Sequence, residues 1–306
     1  MLLNFLMKKV LLFSCVVALM SCGSGNQSGD SVITEDTVKV DSSKIATSAL
    51  PQDAVEGIVK TIPSPIETSV IIKKSGGQYN KSILNPTENS KNYSSSYKRA
   101  LNLGVYGADL GYINIYEKNK ESLYYLQSVK EMADGLNIGQ FFDFETIKRM
   151  ASSSKNADSL LNITTDNFNK INDFLFQQNR SDQSVLILLG GWIEGLNIMC
   201  ETALKNKNTK LYEKIGEQKI VIDQLVLVIS NYESDANIKE LSTGMKELKA
   251  LFEKVEITYT YKESKMEIID GIPTIVDKSE SKVNISESQV FEIANVTKGL
   301  RDKIVK

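Results

Sequence analysis

Ile238-Lys239-Glu240-Leu241-Ser242-Thr243-Gly244-Met245-Lys246-Glu247-Leu248-Lys249-Ala250-Leu251-Phe252-Glu253-Lys254-Val255 decides the fold class. Ile238, Leu241, Met245, Leu248, Phe252 and Val255 recur at steps of three or four, so a helix gathers them into one apolar stripe and leaves Lys and Glu on the other faces. The same spacing returns at Val290, Ile293, Thr297, Leu300 and Ile304. That second stripe opens with Ser286-Glu287-Ser288-Gln289, in which Ser and Gln three apart can each satisfy a free backbone N–H of the other's residue, a capping box.

Working outward, apolar faces alternate with polar, Asn-rich breaks over 97–117, 121–136, 143–151, 166–178, 182–204 and 209–232, and each is read as a helix. An earlier helix begins at Ser64-Pro65, a capping residue followed by the one proline position a helix tolerates, and Gly76-Gly77 stops it after Lys74. The pattern changes only at 257–285. There Ile257, Tyr259 and Tyr261 alternate with Thr, and Glu267-Ile268-Ile269 faces Ile272-Pro273-Thr274-Ile275-Val276 across Asp270-Gly271, the signature of a two-residue hairpin. Pro273 lacks the N–H a central strand needs, so its strand belongs at an edge. The expected fold is all-α: a multi-helix bundle, or alternatively a stack of short helical hairpins, with a small β-excursion near the C-terminus.

The N-terminal stretch reads differently. Lys8 and Lys9 precede the apolar run from Val10 to Met20, which has the length of a signal-peptide h-region and is too short to span a bilayer. Leu19-Met20-Ser21-Cys22 resembles the bacterial lipobox, with a small residue before the thiol that would be acylated; Met20 matches the looser form seen in Bacteroidota. The resemblance implies a lipoprotein signal peptide over 1–21 and palmitate-type lipidation of Cys22. Gly23-Ser24-Gly25-Asn26-Gln27-Ser28-Gly29 then reads as a flexible tether, and 22–63 as a linker in which no period persists, ahead of a helical domain over 64–306. Gly23 rather than Asp after the cysteine points, by resemblance to enterobacterial sorting, to the outer membrane, at its periplasmic face or the cell surface.

Composition excludes several functions. The 306 residues are 42% hydrophobic and 24% charged, too polar for a polytopic membrane protein, and the 182–204 helix carries Glu194 within its apolar run. A net charge of -2 with Lys spread along the chain gives no electrostatic hold on nucleic acid. Histidine is absent, which removes the commonest zinc ligand, the usual general base near neutral pH and every Ser-His or Cys-His nucleophile pair. No metal or cofactor is expected. Cys200 is the one body thiol once Cys15 and Cys22 are assigned to the signal region, and it reads as a small buried hydrophobe.

Two segments carry the candidate site. Gly104, Gly107, Ala108 and Gly111 share a helical face, and Gly191 and Gly195 lie four apart on another helix, so the two small faces are expected to cross, with Gly107, Gly111, Gly191 and Gly195 at the approach. Each helix also holds a carboxylate among apolar residues, Asp109 and Glu194, and neither can be buried without a partner. Arg99, Arg149 and Arg180 are the candidate partners, together with Tyr106, Tyr112 and the indole of Trp192. Two readings follow. In one, the pair belongs to a satisfied structural network inside a non-enzymatic binding or structural module, whose partner is an envelope protein or a small ligand. In the other, Asp109 and Glu194 serve as acid and base of a glycosidase-like hydrolase. Whether the two lie in an open cleft or sealed against an arginine discriminates the readings.

Ala100-Leu101-Asn102-Leu103-Gly104-Val105-Tyr106-Gly107-Ala108-Asp109-Leu110, Gln178-Asn179-Arg180 and Gly190-Gly191-Trp192-Ile193-Glu194-Gly195 resemble an uncharacterised family of Bacteroidota envelope lipoproteins over about residues 93–204. The resemblance implies a helical fold and an envelope location and brings no activity. The chain differs from imelysin-like lipoproteins, whose Gly-x-His-x-x-Glu motif needs a histidine.

Overall fold

The computed structural model describes residues 50–63, 65–151, 157–262, 264–269, 272–276 and 279–306. The signal region, Cys22, the capping Ser64 and the Asp270-Gly271 turn lie outside the described residues. Eleven α-helices are described: α1 (Gln52–Thr61), α2 (Pro65–Lys74), α3 (Ser96–Ile115), α4 (Asn119–Gly135), α5 (Phe144–Ala151), α6 (Ala157–Gln177), α7 (Ser181–Asn206), α8 (Thr209–Gly216), α9 (Gln218–Ile229), α10 (Ala236–Glu253) and α11 (Glu287–Val305). Strands β1 (Glu256–Thr260), β2 (Lys265–Ile269), β3 (Ile272–Val276) and β4 (Glu280–Asn284) intervene between α10 and α11. The fold is thus all-α with a small antiparallel excursion.

The bundle alternative holds, and the hairpin stack does not, because α7 is a hub. It touches α1, α2, α3, α6, α8, α9 and α11, whereas repeats in a stack meet only their chain neighbours. By length and composition α7 could cross a membrane, which the break at Glu194 was expected to prevent; 94% of its most apolar window is buried by the surrounding helices, so it forms the core. Both sequence stripes turn inward. Every one of Ile238, Leu241, Met245, Leu248, Phe252 and Val255 is buried on α10 and just after it, and so are Val290, Ile293, Thr297, Leu300 and Ile304 on α11. At the start of α11 the capping box is formed: Gln289 N–H donates to Ser286 Oγ, and Ser286 N–H donates to Gln289 Oε1.

The crossing of α3 over α7 uses the expected small faces, but only in part the expected glycines. A Cβ on Gly104 would lie 2.0 Å from the Ile187 carbonyl oxygen, and one on Gly190 would lie 1.9 Å from that of Leu101. The two contacts are reciprocal, each helix lodging a carbonyl where the other has no side chain. Gly107 has open space where its Cβ would be, and Gly195 faces Thr68 of α2 at 3.1 Å, so neither makes this crossing. Gly111 and Gly191 are buried beside it, and the Gly191 nitrogen lies 2.5 Å from where a Gly104 Cβ would stand.

Three helix boundaries depart from expectation. Residues 52–61, read as linker, form α1, docked through Val55 and Val59 one turn apart and tied by Gln52 Nε2 donating to the Phe176 carbonyl at 2.9 Å. The linker reading therefore fails for this stretch, and the helical body begins ahead of residue 64. The helix expected from 166 starts at Ala157, and the one expected over 209–232 is interrupted after Gly216. A side chain at Gly216 would collide with Val283 Cγ1 at 2.4 Å, so the base of the β-excursion packs on the backbone there.

The excursion is a two-part ribbon. β1 pairs with β4 from Glu256↔Asn284 to Thr260↔Glu280, and β2 with β3 from Lys265↔Val276 to Ile269↔Ile272. From Thr260↔Glu280 to Lys265↔Val276 one side advances five positions and the other four, so the register slips by one between the ladders. Ser279 bridges the slip: Lys262 N–H donates to its Oγ at 3.0 Å, and its hydroxyl donates to the Lys262 carbonyl at 3.2 Å. Pro273 pairs opposite Ile268 in a two-stranded ladder, where each strand is an edge. Met266 and Ile268 are 73% and 76% exposed, so the outer ladder stands clear of the core.

Candidate functional site

Asp109 of α3 and Glu194 of α7 are brought together, each at 0% exposure. The partner is an arginine the sequence reading passed over, Arg301 on α11. Its Nε donates to Glu194 Oε2 at 2.8 Å and its Nη2 to Glu194 Oε1 at 3.1 Å, a bidentate geometry, while Nη2 also reaches the Ile83 carbonyl at 3.1 Å. Arg301 itself is only 12% exposed, so the ion pair is withdrawn from water. The buried carboxylate raises the Arg301 pKa further against the opposing effect of burial.

Asp109 completes the cluster as an acid. Its Oδ2 accepts the Asn85 N–H at 3.1 Å, and its Oδ1 has no donor among the described residues. Burial first, and the adjacent Glu194 carboxylate second, push the Asp109 carboxyl well above the usual carboxylate range, outweighing Arg301 and the Asn85 N–H. The raised pKa favours the protonated form of Asp109, which spares the centre a second buried negative charge beside Glu194.

Polar neighbours extend it to the end of α11, whose last carbonyls have no partner within the helix. Asn102 Nδ2 donates to the Ile304 carbonyl at 3.0 Å, and the Tyr93 hydroxyl donates to that of Val305 at 2.9 Å. Tyr93 also accepts from Asn85 Nδ2 at 3.2 Å, and Asn89 Nδ2 donates to Asn85 Oδ1 at 2.9 Å. Tyr106 lies beside Asp109, its hydroxyl donating to the Pro86 carbonyl at 2.9 Å, and burial raises its pKa. Helices α3, α7 and α11 and the 83–86 segment thus meet on one buried polar centre.

The remaining expected members lie elsewhere. Trp192 Nε1 donates to Gln218 Oε1 at 3.0 Å; Tyr112 donates to the Gln78 carbonyl and accepts from Asn80 N–H; Arg180 donates to the Leu136 carbonyl and to Gln183 Oε1, both at 2.6 Å. Arg99 caps the Tyr93 and Gly135 carbonyls, and Arg149 binds Thr146. Each of these groups is engaged by a backbone, amide or hydroxyl oxygen outside the carboxylate cluster. Cys200 is wholly buried, as expected, and burial raises its thiol pKa, which keeps it in the unreactive form.

No family model matches this chain, and neither a curated protein nor a solved structure matches it. Function therefore rests on the geometry. A dyad that cleaves a glycosidic bond must admit a sugar and a water between its carboxyls. Among the described residues, the cavities beside Tyr97 and Leu300, beside Leu84 and Tyr124, and beside Tyr212 and Ile285 have no Asp109, Glu194 or Arg301 in their lining.

Proposed function

We propose that this chain is an envelope lipoprotein, anchored at the outer membrane through a lipidated Cys22, whose helical domain is a non-enzymatic binding or structural module. The observation that carries the non-enzymatic part is the closure of Asp109 and Glu194 by Arg301 at zero exposure. The two acids hold α11 against α3 and α7, which accounts for both without a substrate. Exposed apolar side chains at Tyr259, Tyr261, Met266 and Ile268 on the β-excursion further support a role in which surface contact is the output. The anchor rests on the sequence of residues 8–22 and on the resemblance of Leu19-Met20-Ser21-Cys22 to a lipobox.

A panel of chromogenic aryl glycosides, incubated with the parent and with Asp109→Asn, tests the enzymatic question. The proposal expects no turnover by either protein. Turnover by the parent that vanishes in Asp109→Asn, with the fold intact, refutes it.

A further inference from the structure

One surface groove has a chemistry of its own. It encloses about 560 Å3 between the 81–88 segment and the first turns of α4, with Leu84 and Pro86 as apolar lining, Tyr124 and Tyr125 as aromatic lining, and Glu88 and Glu121 as carboxylates. Glu121 is already engaged: the Tyr79 hydroxyl donates to its Oε2 at 2.6 Å, and the ammonium of Lys81, itself part of the lining, lies 3.6 Å away. Glu88 has neither an ion pair nor a hydrogen bond among the described residues. Two carboxylates against the Lys81 ammonium leave the lining one negative charge in excess.

The aromatic rings supply the second observation. On the adjoining surface tyrosine faces already hold ammonium groups, Lys118 at 5.3 Å from the Tyr79 ring centroid and Lys73 at 5.8 Å from that of Tyr116. Tyr124 is 68% exposed at the rim of the groove, and no cation lies over its ring among the described residues. A ring face and a free carboxylate at one apolar recess are the two elements that recognise an organic cation, since the ring quadrupole attracts the charge and the carboxylate accepts its N–H groups.

We propose that this groove binds an ammonium or guanidinium group of the size of a lysine or arginine side chain, its head on Glu88 and its stem along Tyr124, Leu84 and Pro86. The proposal names a ligand class for the binding module above and rests on that reading. Such a cation could be a free small molecule or a side chain on a protein partner, and the two sources share this chemistry.

Calorimetric titration of the full chain with arginine amide and citrulline amide, both Nα-acetylated so that the side chain is the one charge that differs, and with the peptide acetyl-Gly-Arg-Gly-amide tests it. Arginine amide should bind saturably, and the neutral isostere citrulline amide at least about tenfold more weakly. Glu88→Gln and Tyr124→Ala should each weaken arginine amide by about tenfold, while Tyr124→Phe, which keeps the ring face, should bind as the parent does. A peptide tighter than arginine amide assigns the site to a partner's side chain, and one equal or weaker assigns it to a free cation; both support the chemistry. Equal binding of citrulline amide, no saturable heat, or unchanged affinity in both Glu88→Gln and Tyr124→Ala overturns it. Those failures remove the groove as a site and leave the sealed acid pair, judged separately by the glycoside panel, untouched.

Discussion

Replacing Glu194 and Asp109 one at a time should have opposite consequences, although the two carboxyls share a buried centre. In Glu194→Gln the Arg301 guanidinium, 12% exposed, loses the anion that holds it at 2.8 and 3.1 Å. Breaking a buried ion pair by removing one partner typically costs about 3–5 kcal/mol. Asp109, relieved of its like-charged neighbour, can ionise in that variant and offset part of the loss, so about 3 kcal/mol is expected. For a domain of this size that lowers Tm by roughly 6–12 °C. Asp109→Asn, by contrast, keeps an acceptor for the Asn85 N–H and gains an amide donor toward Glu194, and should be at least as stable as the parent at neutral pH.

The pH dependence gives the sign independently. The folded-state pKa of Asp109 is raised above its unfolded value, so the stability it contributes is present below the usual carboxylate range and is lost as pH rises through the raised value. Asp109→Asn has no such dependence. Its stability relative to the parent should therefore grow by about 1.4 kcal/mol per pH unit above the usual carboxylate range, until the raised value is reached. The double variant strands the guanidinium with no anion at all and should lose more than the two single changes together. Thermal melts of the four proteins from about pH 5 to about pH 8 decide the matter. Equal losses in the two single variants, or additivity in the double, refute the reasoning.

Three further outcomes are expected. Gly104→Ala and Gly190→Ala should each cost about 1–3 kcal/mol by overpacking the α3–α7 crossing, whereas Gly107→Ala should be neutral or stabilising by up to about 1 kcal/mol, all read from Tm. Excising 261–279 should leave helical circular dichroism and Tm nearly unchanged because the outer ladder stands clear of the core, while removing 257–285 should lower Tm by stripping Val283 and Ile285 from Gly216. Cys22→Ser should abolish metabolic labelling with a fatty acid and release the protein from the membrane fraction; undiminished label would refute the anchor.

Local signals carried most of the fold. The stripes of α10 and α11, the Ser286 capping box and the 267–276 hairpin are all written within a few residues of chain, and each formed where its pattern lay. Helix α1 left too faint a trace, two buried valines in a polar stretch, and its helicity is settled by docking rather than by its own pattern. At Gly216 the need for a glycine comes from a distant residue, Val283 of the β-excursion, which no local pattern announces. The site was half legible for the same reason. That Asp109 and Glu194 need a partner follows from their apolar surroundings, but Arg301 is 107 positions from Glu194, and no spacing links the two. Which glycines meet at a crossing depends on the angle of the helices, which the small-residue pattern does not encode: Gly191 lies at the crossing as expected, but the closest approach is at Gly104 and Gly190, and Gly107 and Gly195 take no part.

The central claim is that Asp109 is a buried acid beside Glu194, sealed with it by Arg301, and that its carboxyl keeps its proton above the usual carboxylate range. Infrared difference spectroscopy of the parent against Asp109→Asn, followed through a pH titration, reads that proton directly. The account predicts a protonated-carboxyl C=O stretch in the parent that persists above the usual carboxylate range, is missing from Asp109→Asn and is slow to shift in deuterated buffer because the centre is closed to water. An Asp109 that ionises within the usual range, or a carboxyl that exchanges at once, would contradict it.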